Sequence, residues 1–97
     1  PEYVLATHGT AEANFLAIWN LLEPGDEIVY MVPNYLQIQG IARAFGAVVK
    51  PLPLLPELGW RPDLEALEAA LSPRTRVIAV CNPNNPTGAV LTAEAMQ

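Results

Sequence analysis

Apolar positions along the chain change period several times, and each change marks an element. Tyr3-Val4-Leu5-Ala6-Thr7 predicts a short strand, and His8-Gly9 turns the chain. Thr10 is suited to N-cap a helix from Ala11 to about Leu22. Within it Phe15, Ile18, Trp19 and Leu22 recur at three- and four-residue spacing, which sets them on one face. Glu23-Pro24-Gly25-Asp26 ends that helix, and Glu27 to Met31 predicts the second strand. Val32-Pro33-Asn34 reads as a turn, and a helix follows from about Tyr35 to Phe45, closed by Gly46. Val48 to Pro53 is extended, and its two prolines point to a sheet edge, because proline cannot donate to a ladder. Leu54 to Arg61 reads as a loop. Pro62-Asp63 then opens a helix from Asp63 to about Leu71, with Leu64, Leu67 and Leu71 on one face. Ser72-Pro73-Arg74 turns the chain into a strand from Thr75 to Val80, and Thr92 caps a last, truncated helix.

Strands that alternate with helices argue for an α/β fold: a parallel sheet with crossover helices. Neither a repeat nor a linker interrupts the pattern. Length and composition then narrow the picture. The 97 residues make one small domain at most, yet 52% are hydrophobic and the mean hydropathy is +0.23. That is rich for so short a chain and reads as the interior of a larger α/β protein. Pro1-Glu2-Tyr3-Val4 is neither an initiator methionine nor a signal peptide, and the last residues stop inside a helical pattern. Both ends therefore look cut, and the expectation is a fragment incomplete at both ends.

The net charge is −5 with no basic patch, which argues against nucleic acid as a partner. No apolar run approaches the ~20 residues that span a bilayer, so no membrane partner is expected. The single cysteine, Cys81, excludes an internal disulfide and fits a reducing, cytoplasmic setting. It reads as a buried strand residue, with no base or second ligand nearby. No His/Cys/Asp cluster has metal-ligand spacing, so no metal is expected. Glu57, Glu65 and Glu68 read as solvated, Arg74 and Arg76 as surface residues, and Trp19 as part of an apolar helix face.

The most informative stretch is Cys81-Asn82-Pro83-Asn84-Asn85-Pro86-Thr87-Gly88. It follows the apolar run Val77-Ile78-Ala79-Val80, and ligands of open α/β sheets bind outside the carboxyl ends of strands. Two Asn-Pro pairs and a glycine there make a rigid polar loop that presents amides to a ligand, although such dipeptides also punctuate ordinary turns. Thr7 to Ala13 is a second place of this kind. A strand ends, Gly9 permits close approach, and the first amides of a helix carry the positive end of its dipole. That is a phosphate site or an ordinary capped helix start. It lacks the spacing of a dinucleotide fingerprint. Pro33-Asn34-Tyr35 is the third, where an aromatic ring after a strand can stack on a planar heterocycle or pack in the core.

The Asn-Pro-Asn-Asn-Pro-Thr-Gly wording of residues 82–88 closely resembles the signature of the class I/II aminotransferases, enzymes of pyridoxal 5'-phosphate (PLP) with the aspartate aminotransferase fold. The resemblance covers essentially the whole chain and implies part of the large PLP-binding domain of a three-layer α/β/α protein. It implies that Gly9, Thr10 and Ala11 hold the cofactor phosphate, that Tyr35 lies on the pyridine ring and that Asn85 bonds the phenolic oxygen. It also implies a cis bond at Asn85-Pro86, with Pro33 a weaker candidate, and a homodimer acting on an amino acid and a 2-oxo acid. Asn82 and Asn84 are expected to bond backbone in the loop, and Thr87 and Gly88 to shape it; His8 is expected to be a loop residue beside the site. Gly59-Trp60 matches a pair that the family often carries before its Asp-Leu-Glu helix.

The family's Schiff-base lysine, its pyridinium partner and its substrate arginine all fall beyond this loop. Lys50, the only lysine, lies in the wrong segment. The stretch alone is therefore expected to be inactive and, with apolar surface uncovered, not to fold stably by itself. A PLP lyase or synthase of the same fold would look alike here, as would the PLP-sensing part of a transcription regulator. An interaction module that is mature at this length is a further reading, which the interrupted ends oppose.

Overall fold

A computed structural model describes residues 2–96. Pro1 and Gln97 lie outside them. The core is built on β1 (Glu27–Val32), whose first five residues are all buried. Successive side chains of a strand face opposite sides. Ile28 and Tyr30 accordingly join one apolar cluster with Ile18, Leu22 and Ala42, while Val29 and Met31 join another with Leu52, Leu54 and Leu91. The first cluster lies under α1 (Thr10–Leu21) and α2 (Gln37–Ala44). The second takes Leu67 and Ala70 from α3 (Leu64–Ala70). Helices thus cover both faces, which is why Ile28-Val29-Tyr30-Met31 is apolar without alternation.

The sheet has four strands in the order β3-β2-β1-β4, with β2 at Val48–Leu55, β3 at Arg61–Pro62 and β4 at Thr75–Ala79. β1 runs parallel to β2 (Glu27 opposite Val48, Val32 opposite Pro53) and parallel to β4 (Ile28 opposite Val77, Tyr30 opposite Ala79). β3 pairs antiparallel with Leu54 and Leu55 alone. Along Pro51 and Pro53 the ladder partner is β1, so the prolines sit where the other side of β2 is open, as their missing donors require.

Several local expectations are corrected. Tyr3 to Thr7 is not a strand; it has no ladder partner among the described residues, and Tyr3 is 97% exposed. Thr10 is not the N-cap of α1 but its first residue. Gly9 takes the cap position at φ +84°, a conformation that glycine alone adopts cheaply. α2 begins two residues later than the pattern suggests, and Tyr35 stays in the preceding turn. Trp19 is exposed, edging onto Phe15 and Phe45 at the margin of the apolar face. β4 ends at Ala79, which leaves Cys81 half-buried in the loop rather than in a strand. Asp63 caps α3 instead of beginning it, its carboxylate accepting from the Glu65 amide at 2.9 Å. Thr92 accepts from the Ala95 amide, but the turn that follows among the described residues is a short 3-10 segment, Glu94–Met96. Glu57, Glu65 and Glu68 are exposed as expected.

The amino end of β1 carries the one buried carboxylate of the sheet. Glu27 receives Lys50 Nζ at 2.6 Å, Ser72 Oγ at 2.5 Å, Arg74 Nη2 at 2.9 Å and Thr75 Oγ1 at 3.2 Å. Arg74 is exposed as expected, and it also holds the turn before β4 onto β1. A buried charge is tolerated only when paired and hydrogen-bonded. Lys50 first, then Ser72, hold the Glu27 carboxyl down at about 2, against an ordinary value of 4.5. A depressed carboxyl stabilises the fold above its unfolded value and loses that contribution as the pH falls.

In the intact protein, Glu27→Gln should lower the melting temperature at pH 7. The gap from the unsubstituted protein should shrink as the pH falls from 4.5 towards 2, which thermal scans across that range measure. The 97-residue stretch made alone should give no cooperative thermal transition, because Val4, Leu5, Trp19, Leu36 and Val90 stay exposed on it; circular dichroism on heating checks this.

Candidate active site

Because β1 and β4 are parallel neighbours, the segments that follow them emerge on the same side of the sheet. The first is Pro33-Asn34-Tyr35 and the second is Cys81 to Gly88, and α1 begins beside both. A cleft of about 310 Å³ opens there, lined by Thr10, Asn14, Tyr30, Asn34, Tyr35 and Asn85 among others. It adjoins a shallower hollow of about 660 Å³ lined by Tyr35, Gln37, Asn85 and Pro86. Thr10, Tyr35 and Asn85, 75 residues apart along the chain at the extremes, therefore share one cavity. Gly9 and Ala11 flank Thr10 in sequence but do not themselves line the cleft. Helix geometry leaves the amides of Thr10, Ala11 and Glu12 without a carbonyl one turn back, whereas Ala13 already bonds Gly9. Since Gly9 is the cap, the Thr10 hydroxyl is not spent on capping.

Asn84 makes most of the side-chain bonds that hold the loop after β4. Asn84 is buried, accepts from the Thr87 hydroxyl at 2.8 Å and from its amide at 3.3 Å, and donates to the Pro33 carbonyl at 3.3 Å. That last bond ties the segment after β4 to the segment after β1. Asn82 accepts from the Leu91 amide at 3.0 Å, and Gly88, at φ +73°, donates to the Asn84 carbonyl at 2.8 Å. Asn85 is left exposed, with its amide at the cleft. The Asn85-Pro86 and Val32-Pro33 bonds are cis as expected, and Asn82-Pro83 is cis as well.

Tyr35 is 65% exposed, so it is a surface at the cleft and not a core residue. Its own amide donates to Asn34 Oδ1 at 2.7 Å, and its carbonyl accepts from the buried Tyr30 hydroxyl. Burial, and then the nearby Cys81, raise the Tyr30 phenol above its usual range, so it remains a donor. His8 is exposed beside the site; its ring lies 3.0 Å from Glu12, and its amide also donates to that carboxylate. Those bonds lower the Glu12 carboxyl. Lys50 is elsewhere, occupied by Glu27 and by the Ala70 carbonyl. Glu27 stands at the opposite end of β1 from the cleft, roughly 16 Å along a strand that rises about 3.3 Å per residue.

Sequence reasoning missed Asn14, Gln37 and Tyr30. Asn14 had a usable signal: it lies four residues after Thr10, hence on the same helix face. Gln37 had none, because its partners belong to another helix.

Comparisons with known proteins bear on the family and the fold. The family model described as aminotransferase class I and II matches residues 1–97. Capreomycidine synthase of Streptomyces vinaceus is 50% identical over 86 residues, 89% of this chain and 22% of that protein. Aspartate/prephenate aminotransferase of Thermus thermophilus is 38% identical over 97 residues, all of this chain and 25% of that protein. Among solved structures, a PLP-dependent aminotransferase from Streptococcus suis superposes with a TM-score of 0.89 at 40% identity, covering 93% of this chain and 24% of that one. The chain thus spans about a quarter of the length of the relatives it matches. The three-layer α/β arrangement is that of the aspartate aminotransferase fold, and the chain belongs to the class I and II aminotransferase family.

Proposed function

We propose that the cleft at the carboxyl ends of β1 and β4 holds pyridoxal 5'-phosphate, and that the intact protein moves an amino group between an amino acid and a 2-oxo acid. The convergence of Thr10, Tyr35 and Asn85 on one cavity carries this reading. The residues fit the group. A volume of about 310 Å³ is at the lower end of the range for small-ligand pockets. The donor types also match: unpaired helix amides with a hydroxyl for a phosphate, an aromatic face for a planar ring, and a side-chain amide for a ring oxygen.

The chain's part is binding and orientation. Gly9, Thr10 and Ala11 would take the phosphate, with the helix dipole favouring its negative charge. Tyr35 would carry the ring, on a backbone fixed by Tyr30 and Asn34. Asn85 would donate to the ring's phenolic oxygen, and Asn84 holds the loop that presents it. The cofactor supplies the electron sink that amino-group chemistry needs. The lysine that anchors the cofactor would come from beyond these residues, because Lys50 is engaged at the far end of β1. On this reading residues 1–97 are part of a large PLP-binding domain and inactive alone, in a cytoplasmic homodimer.

A second reading, a PLP-dependent synthase of the same fold, is favoured by the 50% identity to the capreomycidine synthase. A 2-oxo acid acceptor separates the two: a transaminase needs one for turnover and a synthase does not.

Titration of the intact apoprotein with PLP, followed by absorbance, should show saturable binding. Asn85→Ala should weaken it about tenfold or more, as expected for losing a hydrogen bond to a charged group worth about 1.5–3 kcal/mol. Tyr35→Ala should cost about 2- to 10-fold, for a lost stacking contact of about 0.5–1.5 kcal/mol. Unchanged affinity in both variants would remove the cleft from the cofactor site.

A further inference from the structure

We infer that Gln37 and Asn14 form a polar strut that fixes the spacing between the phosphate end and the ring end of the cleft; this rests on the cofactor reading above. Gln37 Nε2 donates to the Ala11 carbonyl at 3.2 Å, and Gln37 Oε1 accepts from Asn14 Nδ2 at 3.1 Å. The direction of this relay follows from chemistry. A carbonyl can only accept, so the Gln37 nitrogen must face Ala11; its oxygen then faces Asn14, which must donate.

The two ends that the strut joins are the ones a phosphorylated ring would span. Ala11 and Asn14 belong to the first turns of α1, beside Gly9 and Thr10. Gln37 is the first residue of α2, two residues after Tyr35. Asn14 lines the cleft, and Gln37 lines the hollow beside it. The apolar contact of Phe15 with Phe45 lies past the far end of α2 and does not set the distance between the first turns. Neither Gln37 nor Asn14 is needed to touch the ligand. They are positioning residues, and their effect falls on ligands that engage both ends at once.

Two probes separate that role from a general loss of structure. PLP reaches both ends, whereas pyridoxal, without the phosphate, reaches only the ring end. In the intact apoprotein, Gln37→Met keeps the side-chain length and removes both hydrogen bonds. It should raise the Kd for PLP roughly tenfold and that for pyridoxal less than twofold. Asn14→Ala, which breaks the relay from its other end, should act the same way. The double variant should be no weaker than the worse single one, because both act through one unit. Should Gln37→Met fail to fold, Asn14→Ala alone decides the matter by the same PLP-to-pyridoxal comparison. Parallel losses for both probes, or no loss for PLP, would overturn the strut while leaving the cofactor site in place. An unsubstituted protein that takes up no PLP would overturn the cofactor reading and the strut together.

Discussion

A strand with no solvent-facing side sets the terms for everything around it. β1 is apolar on both faces, so it must be covered by helices on both and paired along both edges. Its two ends solve different problems. At the amino end a buried carboxylate, Glu27, gathers Lys50, Ser72, Arg74 and Thr75 and so pins β2 and the turn before β4 to the strand. At the carboxyl end the chain turns polar, and Asn84 closes the gap to the next strand's loop through the Pro33 carbonyl. The charged anchor and the cleft are thereby kept apart, with Lys50 bonded at the anchor.

The frame of the cleft is hydrogen-bonded from behind. Asn84 makes one bond to the backbone of another segment and two within its own loop, so its neighbour Asn85 is presented from a fixed base. Tyr35 is exposed, but the backbone that carries it is held by Asn34 and Tyr30. Thr10 keeps its hydroxyl free because a glycine, not a threonine, takes the cap. Fixed supports behind exposed contact groups are what a preorganised binding site requires.

Much of this was legible in the sequence. The strand-helix alternation, the continuous apolar run of β1 and the Asn-Pro loop at the end of β4 each reflect a local rule, and the structure follows them. What the sequence does not disclose depends mostly on partners distant along the chain. Tyr3 to Thr7 has the composition of a strand but no neighbour to pair with among the described residues. Arg74 is the surface cation its sequence suggests, but its bond to the buried Glu27, 47 residues earlier, has no local signal. Gln37 is unremarkable within α2 and acquires meaning only when α1 is laid alongside. Thr10 was misplaced by one position because the strong capping preference of threonine outweighed the special backbone freedom of Gly9.

The central claim is that one cleft, formed where β1, β4 and the start of α1 meet, binds a phosphorylated pyridine ring. A crystal structure of the intact protein grown with PLP tests it most directly. The account predicts the phosphate on the backbone amides around Gly9 and Ala11 and on the Thr10 hydroxyl, with the ring against Tyr35 and its phenolic oxygen within hydrogen-bond reach of Asn85. A phosphate seated elsewhere, or a ring out of reach of both Tyr35 and Asn85, would contradict it.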